Sequence, residues 1–188
     1  MADFITSDLH LGHEKMAGIR KFDSVVEHDM IVIHNWNQEI RQNDTVYVLG
    51  DVLMGDRERG LKLLKTLHGK KHLILGNHDR PAPNNRNGHS HIDSMGDSWE
   101  SVTTAATYNR DGVKWLMSHY PYDGDHTEEQ RFDQWRVRDL GAPLLHGHTH
   151  SSEKLSFSEK GTVQVHVGLD AWRLRPIPIG MAISLAKV

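Results

Sequence analysis

The stretch Leu73-Ile74-Leu75-Gly76-Asn77-His78-Asp79 decides the fold. A short apolar run reads as a buried strand, a glycine stops it, and three side chains able to bind a metal or move a proton follow at once. The same event recurs at four other places. Phe4-Ile5-Thr6 runs into Ser7-Asp8-Leu9-His10, and Val46 to Leu49 runs into Gly50-Asp51. Val113 to Met117 ends in Ser118-His119, and Pro143-Leu144-Leu145 passes through His146 into Gly147-His148-Thr149-His150. Ligands of α/β sheets bind beyond the carboxyl ends of the strands, so these ends predict one shared polar site.

Working outward, helical patterns alternate with the strands. Ser24 and Glu27 form a capping-box pattern ahead of a helix whose expected apolar face is Val26, Met30, Ile33, Trp36 and Ile40. Asp56 to Leu67 reads as a second helix, and the alternation is that of βαβ construction. The Pro- and Asn-rich segment 80–87 predicts a loop leaving the polar site. Val102–Tyr108 and Val113–Met117 predict a hairpin across Asn109-Arg110-Asp111-Gly112, and 121–135 a lid or wall. Val163–Val167 and Ile179–Leu185 predict two closing strands. Trp36, Trp115 and Trp172 are expected in the core. One domain, 1–188, is the expected organisation.

The composition narrows the chemistry. The chain has 188 residues, 37% hydrophobic and 25% charged, with a formal net charge of −3. This argues for a globular fold and against a broad grip on long nucleic acid. There is no cysteine, so a metal must sit on nitrogen and oxygen. The start, Met1 to Phe4, carries no leader pattern and no stretch is long enough to span a bilayer, which predicts a cytoplasmic protein and no membrane partner. Oligomeric state is not legible.

Asp8 and His10 are two residues apart, as are His148 and His150; on an extended backbone each pair points one way and reaches a common centre. Asp51 offers two carboxylate oxygens to bridge cations, and Asn77 an amide oxygen. The mixed set suits Mn²⁺, Zn²⁺, Fe or Ni²⁺ and is too large for one tetrahedral ion. Two metals are therefore expected, a count suited to phosphate-ester hydrolysis.

The order Asp-x-His, Gly-Asp, Gly-Asn-His-Asp, His, Gly-His-Thr-His over residues 8–150 closely resembles the calcineurin-like metallophosphoesterases. Val167-Gly168-Leu169-Asp170-Ala171-Trp172, with Arg175-Pro176 behind it, resembles the closing segment of small bacterial and phage members; where many of these carry Asn before Val-Gly, this chain has His166. The resemblance implies an αββα sandwich of two facing mixed sheets flanked by helices. It implies a first metal on Asp8, His10 and His150, a second on Asn77, His119 and His148, and Asp51 as the bridge. Manganese is the favoured ion. His78 would face the leaving-group oxygen as catalytic histidine, Asp79 would orient His78, and a metal-bridged hydroxide would attack phosphorus.

His13 can touch phosphate or cap a helix, and Arg80 can bind phosphate or pair with a nearby acid. His126 and Arg131 are expected to be solvated, and His146 to bond locally. His28, His34, His68, His72, His89, His91 and His166 are expected to be structural. The expected activity is a phosphodiesterase for small diesters such as cyclic nucleotides or aryl phosphodiesters. The alternatives are a phosphomonoesterase or protein phosphatase, a nuclease, and a non-catalytic scaffold like the retromer subunit of the same superfamily.

Overall fold

In the computed structural model, which describes residues 1–186, the first strand is β1 (Asp3–Thr6). Successive side chains of a strand point to opposite faces, and β1 uses both: Phe4 packs under the helices while Ile5 faces the second sheet. β1 is followed by α1 (Glu14–Ile19) and α2 (Val25–Glu39), then β2 (Thr45–Val48), α3 (Arg57–Leu64) and β3 (Lys70–Ile74). Ser24 Oγ accepts from Glu27 N at 3.1 Å and Asp56 Oδ1 from Arg59 N at 3.1 Å, so both longer helices start on a capping side chain.

β4 (Ser101–Thr103) completes the parallel run β1-β2-β3-β4, and the two-residue β10 (Ile177–Pro178) closes the other edge antiparallel to β1. The second sheet has the order β5-β6-β7-β9-β8, from β5 (Ala106–Arg110), β6 (Val113–Met117), β7 (Leu144–His146), β8 (Leu155–Phe157) and β9 (Val163–His166). Strands β6, β7 and β9 are parallel, with Met117 level with Leu145 and Leu145 level with Val165. Both sheets are thus mixed. Ile5, Leu49 and Ile74 of one meet Met117, Leu145 and Val165 of the other in one apolar layer. Gln164 points away from that layer, and its Oε1 accepts from Tyr122 N at 2.6 Å, so the connection 121–139 covers the outer face of the second sheet. No helix among the described residues is long and apolar enough to cross a membrane.

Three expectations need correction. Val102–Tyr108 is not one strand: the chain leaves the first sheet after Thr103 and enters the second at Ala106. The hairpin itself forms, turning on Asp111 and Gly112 at φ 53° and 78°. Ile179–Leu185 is not a strand either. Residues Ile179–Ser184 form α4, which buries Ile179, Ala182 and Ile183 at helical spacing; a short apolar run does not by its period distinguish the two. Finally, α2 is rotated from its expected face. Val26 is 50% and Met30 64% exposed, while His28, Asp29, Val32, Asn35 and Trp36 are buried. Two charged-type side chains are drawn inward there because they belong to the support of the polar site.

Candidate dinuclear metal centre

Strand register brings the five motifs together. Thr6 pairs with Val48, and Val48 with Leu73, so the segments beyond β1, β2 and β3 emerge side by side. The second sheet delivers His119 after β6 and His148 with His150 after β7. A bridge between Ser7 and Gly168 stitches the two sheets at this edge. The glycines permit the approach: a Cβ on Gly147 would collide with Ser7 and the Asp8 carboxylate, and one on Gly76 with Asp51 and His119.

The convergence does not come from an extended backbone. Asp8, His10, Asp51, His148 and His150 have φ of 61°, 50°, 52°, 71° and 51°, the left-handed region that costs a non-glycine residue energy. Each Asp-x-His or His-x-His pair is aimed by two left-handed residues flanking an ordinary one. Such strain clusters where the surrounding structure over-determines a functional geometry.

Two donor sets result. In the first, His10 Nε2 lies 3.3 Å from His150 Nε2, and Asp8 Oδ1 is 3.9 Å from each. In the second, Asn77 Oδ1 is 3.0 Å from both His119 Nε2 and His148 Nδ1, which are 3.2 Å apart. Asp51 Oδ2 stands between the sets, 3.7 Å from His10 Nε2 and 3.6 Å from His119 Nε2. One oxygen, not two, is free to bridge, because Asp51 Oδ1 accepts from His78 N at 2.8 Å.

Each imidazole is oriented from outside. His119 Nδ1 donates to the Leu49 carbonyl at 2.7 Å, which leaves Nε2 as the lone-pair nitrogen facing the site. His150 Nδ1 donates to Asp170 Oδ2 at 2.8 Å, and His148 Nε2 lies 3.2 Å from the buried Asp125 Oδ1. His10 Nδ1 meets His13 Nδ1 at 3.3 Å. His13 therefore stands at the N-cap position of α1, but its side chain caps no amide and instead meets His10.

The residues fit divalent cations. Asp8 Oδ1 is buried with no hydrogen-bond partner among the described residues. Burial, followed by the Asp8 and Asp79 carboxylates, pushes Asp51 well above the usual carboxylate range. Burial opposes ionisation of Asp8 too, yet His150, His119 and His10 hold its carboxyl below its ordinary value. Burial keeps His148 neutral, lowering it to about 3, and a neutral imidazole is what a metal takes. A further group, Asp125 with His126 and His148, is different. Arg131 Nη2 sits 2.9 Å from Asp125 Oδ1 and Arg136 Nη2 3.6 Å from Oδ2, so cations already occupy it.

Three sequence readings change here. Asp79 does not orient the His78 ring: its carboxylate accepts from Gly76 N at 2.8 Å and from Asp51 N and Val52 N at 3.0 Å, clipping two motif loops together. Arg80 is exposed and, among the described residues, pairs with no acid. Arg131, though partly exposed, pairs with Asp125 at 2.9 Å, while His126 is exposed as expected, its ring 5.3 Å from that of His148. His146 bonds locally, through Nδ1 to its neighbour's carbonyl, Gly147 O, at 2.9 Å, and Trp36, Trp115 and Trp172 are buried.

Sequence reasoning missed the outer support. Arg20 binds Asp170 through Nε to Oδ1 at 2.9 Å and Nη2 to Oδ2 at 2.8 Å. It also donates to the carbonyls of Asp8 at 2.8 Å and Leu9 at 3.3 Å, and meets His28 Nε2 at 3.0 Å. His28 passes the chain on to Asp29, which accepts from Gly12 N and pairs with Arg59 Nη1 at 2.6 Å. Asp170 stood inside a quoted motif, but nothing in the sequence tied it to Arg20, 150 positions away.

No family model matches the chain. It is 43% identical over 180 residues to the gene 66 protein of Mycobacterium phage L5, covering 90% of this chain and 86% of that protein. It is 42% identical over 177 residues to the gene 66 protein of Mycobacterium phage D29, covering 90% and 88%. Among solved structures, the Aquifex aeolicus protein AQ665, of unknown function, superposes with a TM-score of 0.69 at 21% identity, covering 98% of each chain. That likeness is one of fold.

Proposed function

We propose that this chain, which belongs to one family with the gene 66 proteins of mycobacteriophages L5 and D29, is a calcineurin-like metallophosphoesterase and, within that superfamily, a dinuclear metal-dependent phosphodiesterase. Its substrates on this reading are small phosphodiesters such as cyclic nucleotides and aryl diesters. The observation that carries the reading is the Asp51 Oδ2 oxygen, shared between two donor sets at 3.7 and 3.6 Å.

Asp8, His10 and His150 would hold one ion, Asn77, His119 and His148 the other, and Asp51 both. Nitrogen and oxygen donors without sulfur suit manganese, iron, zinc or nickel, and manganese is the ion proposed. When bound, paired cations supply a nucleophile at neutral pH and offset charge on the phosphoryl oxygens.

The chain's own residues supply the rest. His78 is exposed at the mouth, its ring centroid 5.7 Å from that of His10 and its amide fixed on Asp51. Desolvation of its inner side, and next the charges of His119 and His13, lower it to about 4. In the role proposed, a protonated His78, its charge favoured by an anionic diester beside the ring, gives its proton to the leaving-group oxygen. Such a group is worth about 10²–10⁴ in rate. The diester preference rests on charge. A monoester dianion calls for added cationic groups beside the metals. Here Arg20, Arg57, Arg131 and Arg136 are engaged within the protein, leaving Arg80 beside His78.

Metal-stripped protein refilled with Mn²⁺, Ni²⁺, Zn²⁺ or Mg²⁺ tests this on bis-p-nitrophenyl phosphate and p-nitrophenyl phosphate. Metal-dependent cleavage that favours the diester and collapses in Asp51→Asn and His78→Ala is expected. A preference for the monoester would move the assignment to a phosphatase, and no turnover of either would refute it.

A further inference from the structure

A pocket of about 200 Å³ opens beside His78. Leu53, Met54 and Met95 give it apolar walls, and Arg57 and Arg80 add two guanidinium groups. Arg57 is held by its hydrogen bond to the Ser94 carbonyl. Arg80 is exposed and engages no carboxylate among the described residues. The acid lining the pocket, Asp79, has its oxygens taken by three backbone amides and pairs directly with neither arginine. A positively charged, apolar-walled pocket is thus built next to the group assigned to the leaving-group oxygen, on a chain of net charge −3.

Resting on the phosphodiesterase reading, the geometry points to a leaving-group subsite selective for an alcohol that carries its own anionic group on a small apolar body, with Arg80 as the specificity-determining residue. A diester is cleaved at the bond between phosphorus and the leaving oxygen; water supplies the hydroxyl that stays on phosphorus and the proton that leaves with the alcohol. The body of that alcohol lies against Leu53, Met54 and Met95, and its anionic group pairs with Arg80. Guanidinium pairs with carboxylate or phosphate in a two-pronged geometry that a neutral leaving group forgoes.

The test compares three diesters turned over by the Mn²⁺-loaded full chain. They are methyl 4-nitrophenyl phosphate and its analogues bearing a carboxylate or a phosphonate at ring position 3. The expected result is a kcat/KM about two- to fivefold higher for the anionic leaving groups, expressed mainly in KM, since an ion pair with a solvent-exposed guanidinium is screened. In Arg80→Ala the preference falls towards parity because KM rises selectively for the anionic pair. The larger factor, on carboxylate or on phosphonate, identifies which anion the natural leaving group bears. Equal turnover of all three by the wild type, or a preference that survives Arg80→Ala, overturns the subsite and leaves the diesterase reading standing. No turnover of any of them by protein holding its metals overturns both.

Discussion

Arg20 grips Asp170 with both ends of its fork, at 2.9 and 2.8 Å, and the same guanidinium donates to the Asp8 carbonyl. One side chain therefore holds the carboxylate that orients His150 and the strained backbone that aims Asp8. Partners of this kind typically change metal affinity about 10–100-fold when removed. Asp170→Asn is expected to weaken one of two metal equivalents by that factor, measured by calorimetric titration of metal into stripped protein. It should also lower Tm, since a largely buried guanidinium loses its counter-charge. Two equivalents of unchanged affinity would show that Asp170 serves folding alone.

Asp125 is the counterpart on the other donor set. Its side chain is buried against His148 Nε2 and carries Arg131 and Arg136 behind it. Asp125→Asn should weaken the site of Asn77, His119 and His148 while sparing that of Asp8, His10 and His150. Metal analysis after desalting reads this as a fall from two equivalents towards one. Combining Asp125→Asn with Asp170→Asn should weaken both, because the two carboxylates support different histidines.

What the sequence revealed, and what it hid, divides along physical lines. Strand ends followed by Asp, His and Asn are local signals, and those residues do meet at one edge. The means by which they meet is not local. Left-handed φ at Asp8 and His148 is an unfavourable choice for a non-glycine residue, so no propensity announces it. The buried face of α2 departs from its apolar pattern because His28 and Asp29 are drawn in by Arg20, Gly12 and Arg59, partners chosen by the fold. Asp79 differs from its expected role for a similar reason: adjacency to His78 suggests a pair, whereas its carboxylate serves amides of another loop.

Metal should also be visible as stability. Without a cation, Asp51 sits buried beside the carboxylates of Asp8 and Asp79, an arrangement that burial and repulsion both oppose. A ligand of the folded state alone adds about 2.7 kcal/mol when present at 100 times its Kd. Mn²⁺ is therefore expected to raise Tm by several degrees in a thermal melt. Asp51→Asn should abolish most of that increment and yet leave the stripped protein as stable as wild type or more so, because one of the opposed carboxylates is gone. A stripped Asp51→Asn that melts well below the stripped wild type would contradict this electrostatic account.

Away from the site, Asp44 ties the start of the chain to the entrance of β2. Its Oδ1 accepts from Ala2 N at 2.8 Å and its Oδ2 from Arg41 N at 3.0 Å, and those two amides, Ala2 first, hold its carboxyl below its ordinary value. A carboxyl depressed on folding adds stability that is complete above the unfolded-state value near 3.9 and disappears as pH falls through the lower folded-state value. Asp44→Asn should therefore lower Tm at pH 7, where the charge-assisted bonds are intact. The gap between variant and wild type should narrow as melts move below about pH 4, where the carboxyl of the unfolded chain takes up its proton first, and close as the folded carboxyl follows. A gap that stays constant down to the most acid melt would assign the loss to packing and not to the ionised carboxylate.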